Sequence, residues 1–517
     1  TIHSEKLLTF DFIKSFWQWK ISQIQSLGIA DCNVVQLVAR NIEKLPVSTQ
    51  KILQLAACIG NQFNLDICAI VNEKSPIETA DDLWLALQAG LILPLSNEYK
   101  IPLAFQSKEQ EKLLFDQSRV GYKFLHDRVQ QAAYSMIPEN QKKVTHLKIG
   151  KLLLSQYAEN ALEENIFDIV NQLNIGEKFL VEQSEKNELA HFNLIAGRKA
   201  KAATAYEAAV RYLNVGLELL PEFSWQSHYD LTRNLYLETL EVEYLNTSFE
   251  RAQELSKIIL SQAKTQLEKI KVYELRIPFY LQQNNPQEAI ETALQVLKML
   301  AVPFPRHPTK FSIMMGLTRN KIGIGNKRIE DLAFLPSMTN PYKLAAMRIL
   351  IAIIPAAFMT NPMLFPLIIF TMVNLSIQYG NSPLSPYGYV SYGMLLCGVL
   401  SDIDLGYQFG KLAINLVEQF ATKEIKAKID FMFNCFIKQW KEHIKETTQP
   451  LLEAFKTGLE TGDIEYSCYS VANYSHHCYW SGEHLETTLQ NYIKYTDLML
   501  KYKQNLVSSQ TKLGSEF

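Results

Sequence analysis

The sequence predicts a mainly α protein: a winged-helix domain with a small β-wing followed by a TPR-like α-helical solenoid. Three observations lead there. Between Leu45 and Arg119, three stretches with apolar residues at helical spacing precede two short strand-like runs and a polar loop. From Glu139 onward the helical pattern is nearly continuous and recurs in helix–turn–helix units of roughly 35–40 residues. Between these regions, Val120–Ile137 switches from strand alternation to helical spacing. The expected segments are residues 1–48, a winged helix at 49–138, TPR-like repeats at 139–302, a connector at 303–341 and more repeats at 342–505. Residues 506–517 are expected to be a disordered tail or cloning linker.

Composition narrows the function. The chain has 517 residues, 47% of them hydrophobic and 20% charged, with a net charge of −2. That length calls for two or three domains, and that balance leaves no excess of Lys and Arg to neutralise a nucleic-acid backbone. Seven scattered cysteines with no CxxC pair point to reduced thiols and a cytoplasmic location. The chain starts at Thr1 without a signal peptide, as a piece of a longer polypeptide would. No charge occurs between Arg348 and Asp402, but Pro355, Pro362 and Pro366 interrupt the apolar run. Buried solenoid helices are therefore expected there in preference to a membrane span.

Leu7–Phe12 and Trp17–Trp19 read as a small strand pair, and Val34, Val35, Leu37 and Val38 as a helix. After Pro46, Ser48 or Thr49 is expected to cap a helix that buries Ile52, Leu53, Ala56 and Ala57 and closes at Gly60. Phe63 and Leu65 open a second helix. Asp81-Asp82 opens a third, with Leu83, Trp84 and Leu87 inward and Gly90 as its stop. Leu91–Leu95 and Ile101–Phe105 read as strands around a turn at Asn97, with Gln106–Arg119 as the polar wing. The third helix holds no Lys or Arg before Gly90, so it is a poor reader of a DNA groove. In Val120–Ile137, Tyr122 and Phe124 face opposite to Lys123 and Leu125. His126-Asp127-Arg128 then starts a helix that Pro138 ends. A histidine and a carboxylate at a helix start lie where phosphate is readily held, although both also suit a plain cap and a half-buried side chain.

In the solenoid, Ala196, Ala202, Ala203, Ala205, Ala208 and Ala209 are expected where helices approach closely. Further units run from His228 to Ile259 and from Ile270 to Leu297. Gly323-Ile324-Gly325, among Arg319, Lys321, Lys327 and Arg328, has no preceding strand and reads as a solvated basic connector. Hairpins resume at Tyr342. No phosphate-binding loop, nucleophile elbow, kinase signature or HExxH motif is present. His476-His477-Cys478 with Cys468 invites a metal reading, but neighbours on a helix diverge by about 100°, which favours a packed helix face.

Leu53–Phe63, Phe124–Tyr134 with His146, Ile149 and Gly150, and Tyr387-Gly388-Tyr389 to Gly398 together resemble the STAND class of signalling ATPases. More closely, the chain resembles the central region of bacterial multi-sensor signal-transduction multi-kinases. Those join a serine/threonine kinase, an AAA-type ATPase, helical repeats, a GAF sensor and a histidine kinase. The resemblance makes residues 1–48 the C-terminal tail or lid of the ATPase. It gives His126, with Asp127 beside it, contact with the phosphate of ADP held by that ATPase; Leu125 stands where the family motif has Met. It implies no cofactor in this chain itself, with ATP or ADP in the parent protein. The implied partners are the adjacent ATPase and kinase domains and a protein or small-molecule inducer on the solenoid, with neither nucleic acid nor membrane. A STAND-type transcriptional activator is the competing reading; it needs a basic DNA-binding module.

Overall fold

The computed structural model describes residues 8–11, 16–19, 34–100, 120–156, 162–504, 507–509 and 511–512. They fall into two compact units, Thr1–Leu255 and Ser256–Phe517. The expected strand 101–105, the polar wing 106–119 and the last five residues of the expected tail 506–517 lie outside the described residues. Val507, Ser508 and Thr511 of that tail are buried and not disordered, Val507 packing with Cys468 and Met499.

The first unit opens with the expected strand pair, β1 (Leu8–Asp11) antiparallel to β2 (Phe16–Trp19). Then come α1 (Val34–Glu43), α2 (Val47–Ile59), β3 (Gln62–Asn64), α3 (Leu65–Asn72), α4 (Pro76–Gln88), β4 (Ile92–Pro94), β5 (Gly121–Phe124) and α5 (Asp127–Ser135). The strands form an antiparallel sheet with β5 in the centre, Phe63 opposite Tyr122 and Ile92 opposite Phe124. Phe63, Tyr122 and Phe124 share a core with Ile52, Leu53, Leu65 and Leu83. Ile42 of α1 is fully buried in that same core, so the segment expected to belong to an ATPase tail packs with the helices after it.

Four local expectations are corrected. Neither Ser48 nor Thr49 caps α2; Pro46 stands at the cap without a side-chain hydrogen bond, its φ of −56° set by the ring. Phe63 lies in β3 and not in a helix. The third helix begins at Pro76, ahead of Asp81, because Ser75 and Glu78 form a capping box and Pro76 fits the first helical position. Trp84 is 36% exposed on it while Leu83 is buried.

The rest of the first unit is helical: α6 (Glu139–Gln156), α7 (Ile166–Ile175), α8 (Gln183–Ala202), α9 (Tyr206–Glu218), α10 (Tyr229–Leu245) and α11 (Phe249–Gln262), the last crossing into the second unit. The α8–α9 and α10–α11 turns share one device. Thr204 and Thr247 adopt left-handed φ of 58° and 62°. The next amide then bonds back into the helix, Ala205 to Ala200 and Ser248 to Glu243, each at 2.9 Å. Ala202, Ala203 and Ala205 accordingly sit exposed at a turn, against expectation, while Ala196 and Ala209 are buried between α8 and α9.

The second unit contains α12 (Gln266–Gln282), α13 (Pro286–Met299), α14 (Lys310–Ile324), α15 (Pro341–Thr360), α16 (Leu364–Tyr379), α17 (Ser385–Gly398), α18 (Ile403–Phe420), α19 (Lys423–Phe436), α20 (Thr448–Thr461), α21 (Ile464–Trp480) and α22 (Leu485–Lys501). Asn284, between α12 and α13, repeats the left-handed turn at φ 56°. The expected connector holds α14, capped by Thr309 with Ser312; the prolines stop structure only ahead of it. The apolar run divides at Asn361 into α15 and α16, and Pro355 is absorbed inside α15. Among the described residues, Pro341–Thr360 is the one helix long and apolar enough to cross a membrane, and half of its most apolar window is buried in the packing.

Helices α17 and α18 approach closely at paired glycines. A Cβ on Gly406 would overlap Cys397 Sγ and press on the Gly393 carbonyl at 2.8 Å, whereas a Cβ on Gly398 would meet nothing within 4 Å. Gly406→Ala is expected to destabilise the chain by about 1–3 kcal/mol. Gly398→Ala is expected to leave stability within about 0.5 kcal/mol. Urea titrations of both variants check the contrast.

Candidate functional site

The strand-to-helix handover falls where the pattern changes. Phe124 is buried at the end of β5, and Val129 is buried one turn into α5. Leu125, His126, Asp127 and Arg128 between them are exposed. The cap of α5 is His126 and not Asp127: its Nδ1 accepts from the Arg128 amide at 3.2 Å. Asp127 is the first helical residue, its carboxylate at the positive helix end. A cap that accepts through Nδ1 puts the proton of a neutral imidazole on Nε2. The exposed edge of His126 therefore presents an N–H donor beside α5, as a phosphate oxygen requires.

The other end of α5 is held by a buried polar chain. The Tyr134 hydroxyl lies 3.1 Å from His146 Nε2 on α6. His146 Nδ1 lies 2.7 Å from Gln172 Oε1 on α7, and Gln172 Nε2 donates to the Cys58 carbonyl on α2 at 2.9 Å. The directions follow from the last bond. Gln172 gives its N–H to a carbonyl, so its oxygen faces His146 and accepts from Nδ1–H, leaving Nε2 to accept from Tyr134. A neutral imidazole satisfies all three contacts in this way. Burial lowers the pKa of His146 in the same sense. His146 is one of the residues that carry the resemblance, but its partners on α2, α5 and α7 are too distant in sequence to be read there.

The residues weighed for metal binding separate. His477, 1% exposed, places Nδ1 2.6 Å from Thr447 Oγ1. His476 Nδ1 lies 2.8 Å from the Tyr492 hydroxyl. No cluster of three His, Cys, Asp or Glu suited to a metal occurs among the described residues. The Gly323–Gly325 segment is the end of α14 and its cap, Gly325 having φ 57°, and is no nucleotide loop.

The chain is similar to signal-transduction kinases. It is 25% identical over 560 aligned residues to the hybrid signal transduction histidine kinase G of Dictyostelium discoideum. That alignment takes in 97% of this chain and 16% of the relative's length. Among solved structures it is similar to a signal transduction ATPase with numerous domains (STAND) protein with a tetratricopeptide repeat sensor from Pyrococcus horikoshii. There the TM-score is 0.42 at 11% identity, covering 93% of this chain and 61% of that one. No protein-family profile matches the chain.

Two predictions follow from the buried groups. Gln172→Leu strands the Cys58 carbonyl and His146 Nδ1 and is expected to cost about 2 kcal/mol of stability, read from denaturant midpoints. Burial holds His477 near a pKa of about 4, with the charge of His476 a lesser cause. Its folded pKa is below its unfolded value, so the unfolded state binds the proton first. The neutral ring's contribution is intact above about pH 6.5 and is lost as pH falls from there toward 4, at about 1.4 kcal/mol per unit at most. Unfolding free energies across that window are expected to show a shallower slope in His477→Asn.

Proposed function

We propose that this chain is a non-catalytic regulatory segment of a large signal-transduction kinase. It relays the nucleotide state of a neighbouring STAND-type ATPase through a winged helix to a helical scaffold that binds a partner or inducer. The order α2, β3, α3, α4, β4, β5 is the order of a winged helix, and α4 carries Glu78, Asp81 and Asp82 without a Lys or Arg. Such a face suits a protein neighbour better than a phosphate backbone. A cytoplasmic setting accords with the six free, buried cysteines among the described residues.

One observation carries the reading: the exposed imidazole of His126, fixed in one tautomer by its own helix cap. In this reading Nε2–H donates to a phosphate oxygen of ADP bound to the adjacent ATPase, and Asp127 sits beside it. The bond clamps the winged helix to the ATPase in the ADP state. Exchange removes the clamp and frees the domain interface as the two-state element. The parent kinase supplies ATP, the ATPase and the phosphotransfer chemistry.

In the full-length parent, His126→Ala is expected to speed ADP release about tenfold or more, the worth of one hydrogen bond to a charged group, and to raise basal signalling. Because His126 is exposed, folding of the variant is expected to be near normal by circular dichroism. An unchanged ADP off-rate in stopped-flow measurements with a fluorescent analogue defeats the role given to His126.

A further inference from the structure

The second unit contains a cleft of about 500 Å³ between the end of α14, the turn after it, α17 and the start of α18. Its size suits a small metabolite. Lys321 and Lys327 line one wall and are exposed; neither has a carboxylate within ion-pair distance among the described residues. Arg328 on the same wall is occupied by Asp331, and the exposed Glu330, beyond the two lysines in sequence, also lines the cleft. Asp402 and Gln408 line the opposite wall. The buried side chains of Ile324 and Ile329 give the cleft an apolar lining.

Tyr392 also lines this cleft. Its ring is wholly buried, edge-on to Phe409 at 4.9 Å, yet its hydroxyl has no hydrogen-bond partner. Burial, with the charge of Asp402 as a lesser cause, pushes its pKa up to about 12, so it stays a neutral donor. Leaving such a group unmet costs about 1–3 kcal/mol. Folded proteins keep such a cost chiefly where something else completes the bond.

We propose that this cleft binds a small carboxylic acid that also bears a hydrogen-bond donor, as amino acids and hydroxy acids do. The carboxylate meets Lys321 and Lys327 and accepts from the Tyr392 hydroxyl. The ammonium or hydroxyl meets Asp402, and the carbon body covers Ile324 and Ile329. This rests on the regulatory reading only in naming the inducer class; the site itself stands apart from His126.

The test is calorimetry on the full chain with each L-amino acid and with 4-hydroxybenzoate, using n-butylamine as the probe without a carboxylate. One-to-one binding of at least one acid is expected, with none of the amine. Tyr392→Phe, which keeps the ring and removes only the unpartnered hydroxyl, is expected to weaken binding about tenfold without lowering the melting temperature. The double variant Lys321→Ala/Lys327→Ala is expected to weaken it further, and both substitutions are on the surface. Failure of every acid to bind, equal binding of the amine, or unchanged affinity in the double variant overturns the proposal. None of these results depends on the ATPase, so they separate from a failure of the His126 relay, which is read from ADP release.

Discussion

One buried imidazole ties the helices of the first unit together. His146 donates through Nδ1 and accepts through Nε2, joining Tyr134 to Gln172, and Gln172 reaches the Cys58 carbonyl. Each bond sets the direction of the next, so one chain of donors and acceptors ties α5, α6, α7 and α2 together. Apolar packing around Ile149, Leu153 and Ile169 supplies the bulk of the burial. It does not specify a register as narrowly as a satisfied polar chain does. An imidazolium would carry donors at both nitrogens, and the Tyr134 hydroxyl would have to turn and accept.

The same helix begins at the other histidine. His126 caps the start of α5, and Tyr134 in its last turn reaches His146, so each end of the helix touches an imidazole, one exposed and one buried. Nine residues of helix span about 13 Å. In the regulatory reading, a pull on His126 reaches His146 through a short, hydrogen-bonded rod anchored at its far end. That is a contiguous physical path, and it needs no change in the sheet.

Much of this was legible in the residues alone. The switch from period two to helical period marked the handover at Leu125–Asp127, and the recurring hairpins showed as apolar spacing broken by polar turns. What escaped notice did so for physical reasons. Three residues of β3 are too few to display alternation, and Phe63 suits a helix face equally well. The cap at His126 depends on which ring nitrogen turns inward, a matter of geometry that composition cannot express. Pro355 looked like a breaker, but close packing of α15 carries the helix through it. The cleft beside Tyr392 draws on α14, α17 and α18; its basic wall has the composition of a solvated linker, and only the packing of α14 against Leu367 and Phe370 of α16 distinguishes it.

The left-handed corners at Thr204, Thr247 and Asn284 have an evolutionary consequence. Since each corner is closed by backbone bonds of its own, a gene could gain or lose a segment between two corners and leave both junctions chemically unchanged. Length variation among homologous chains would then come in whole hairpins, and a helical array of this kind could be lengthened by duplication with no redesign of its joints.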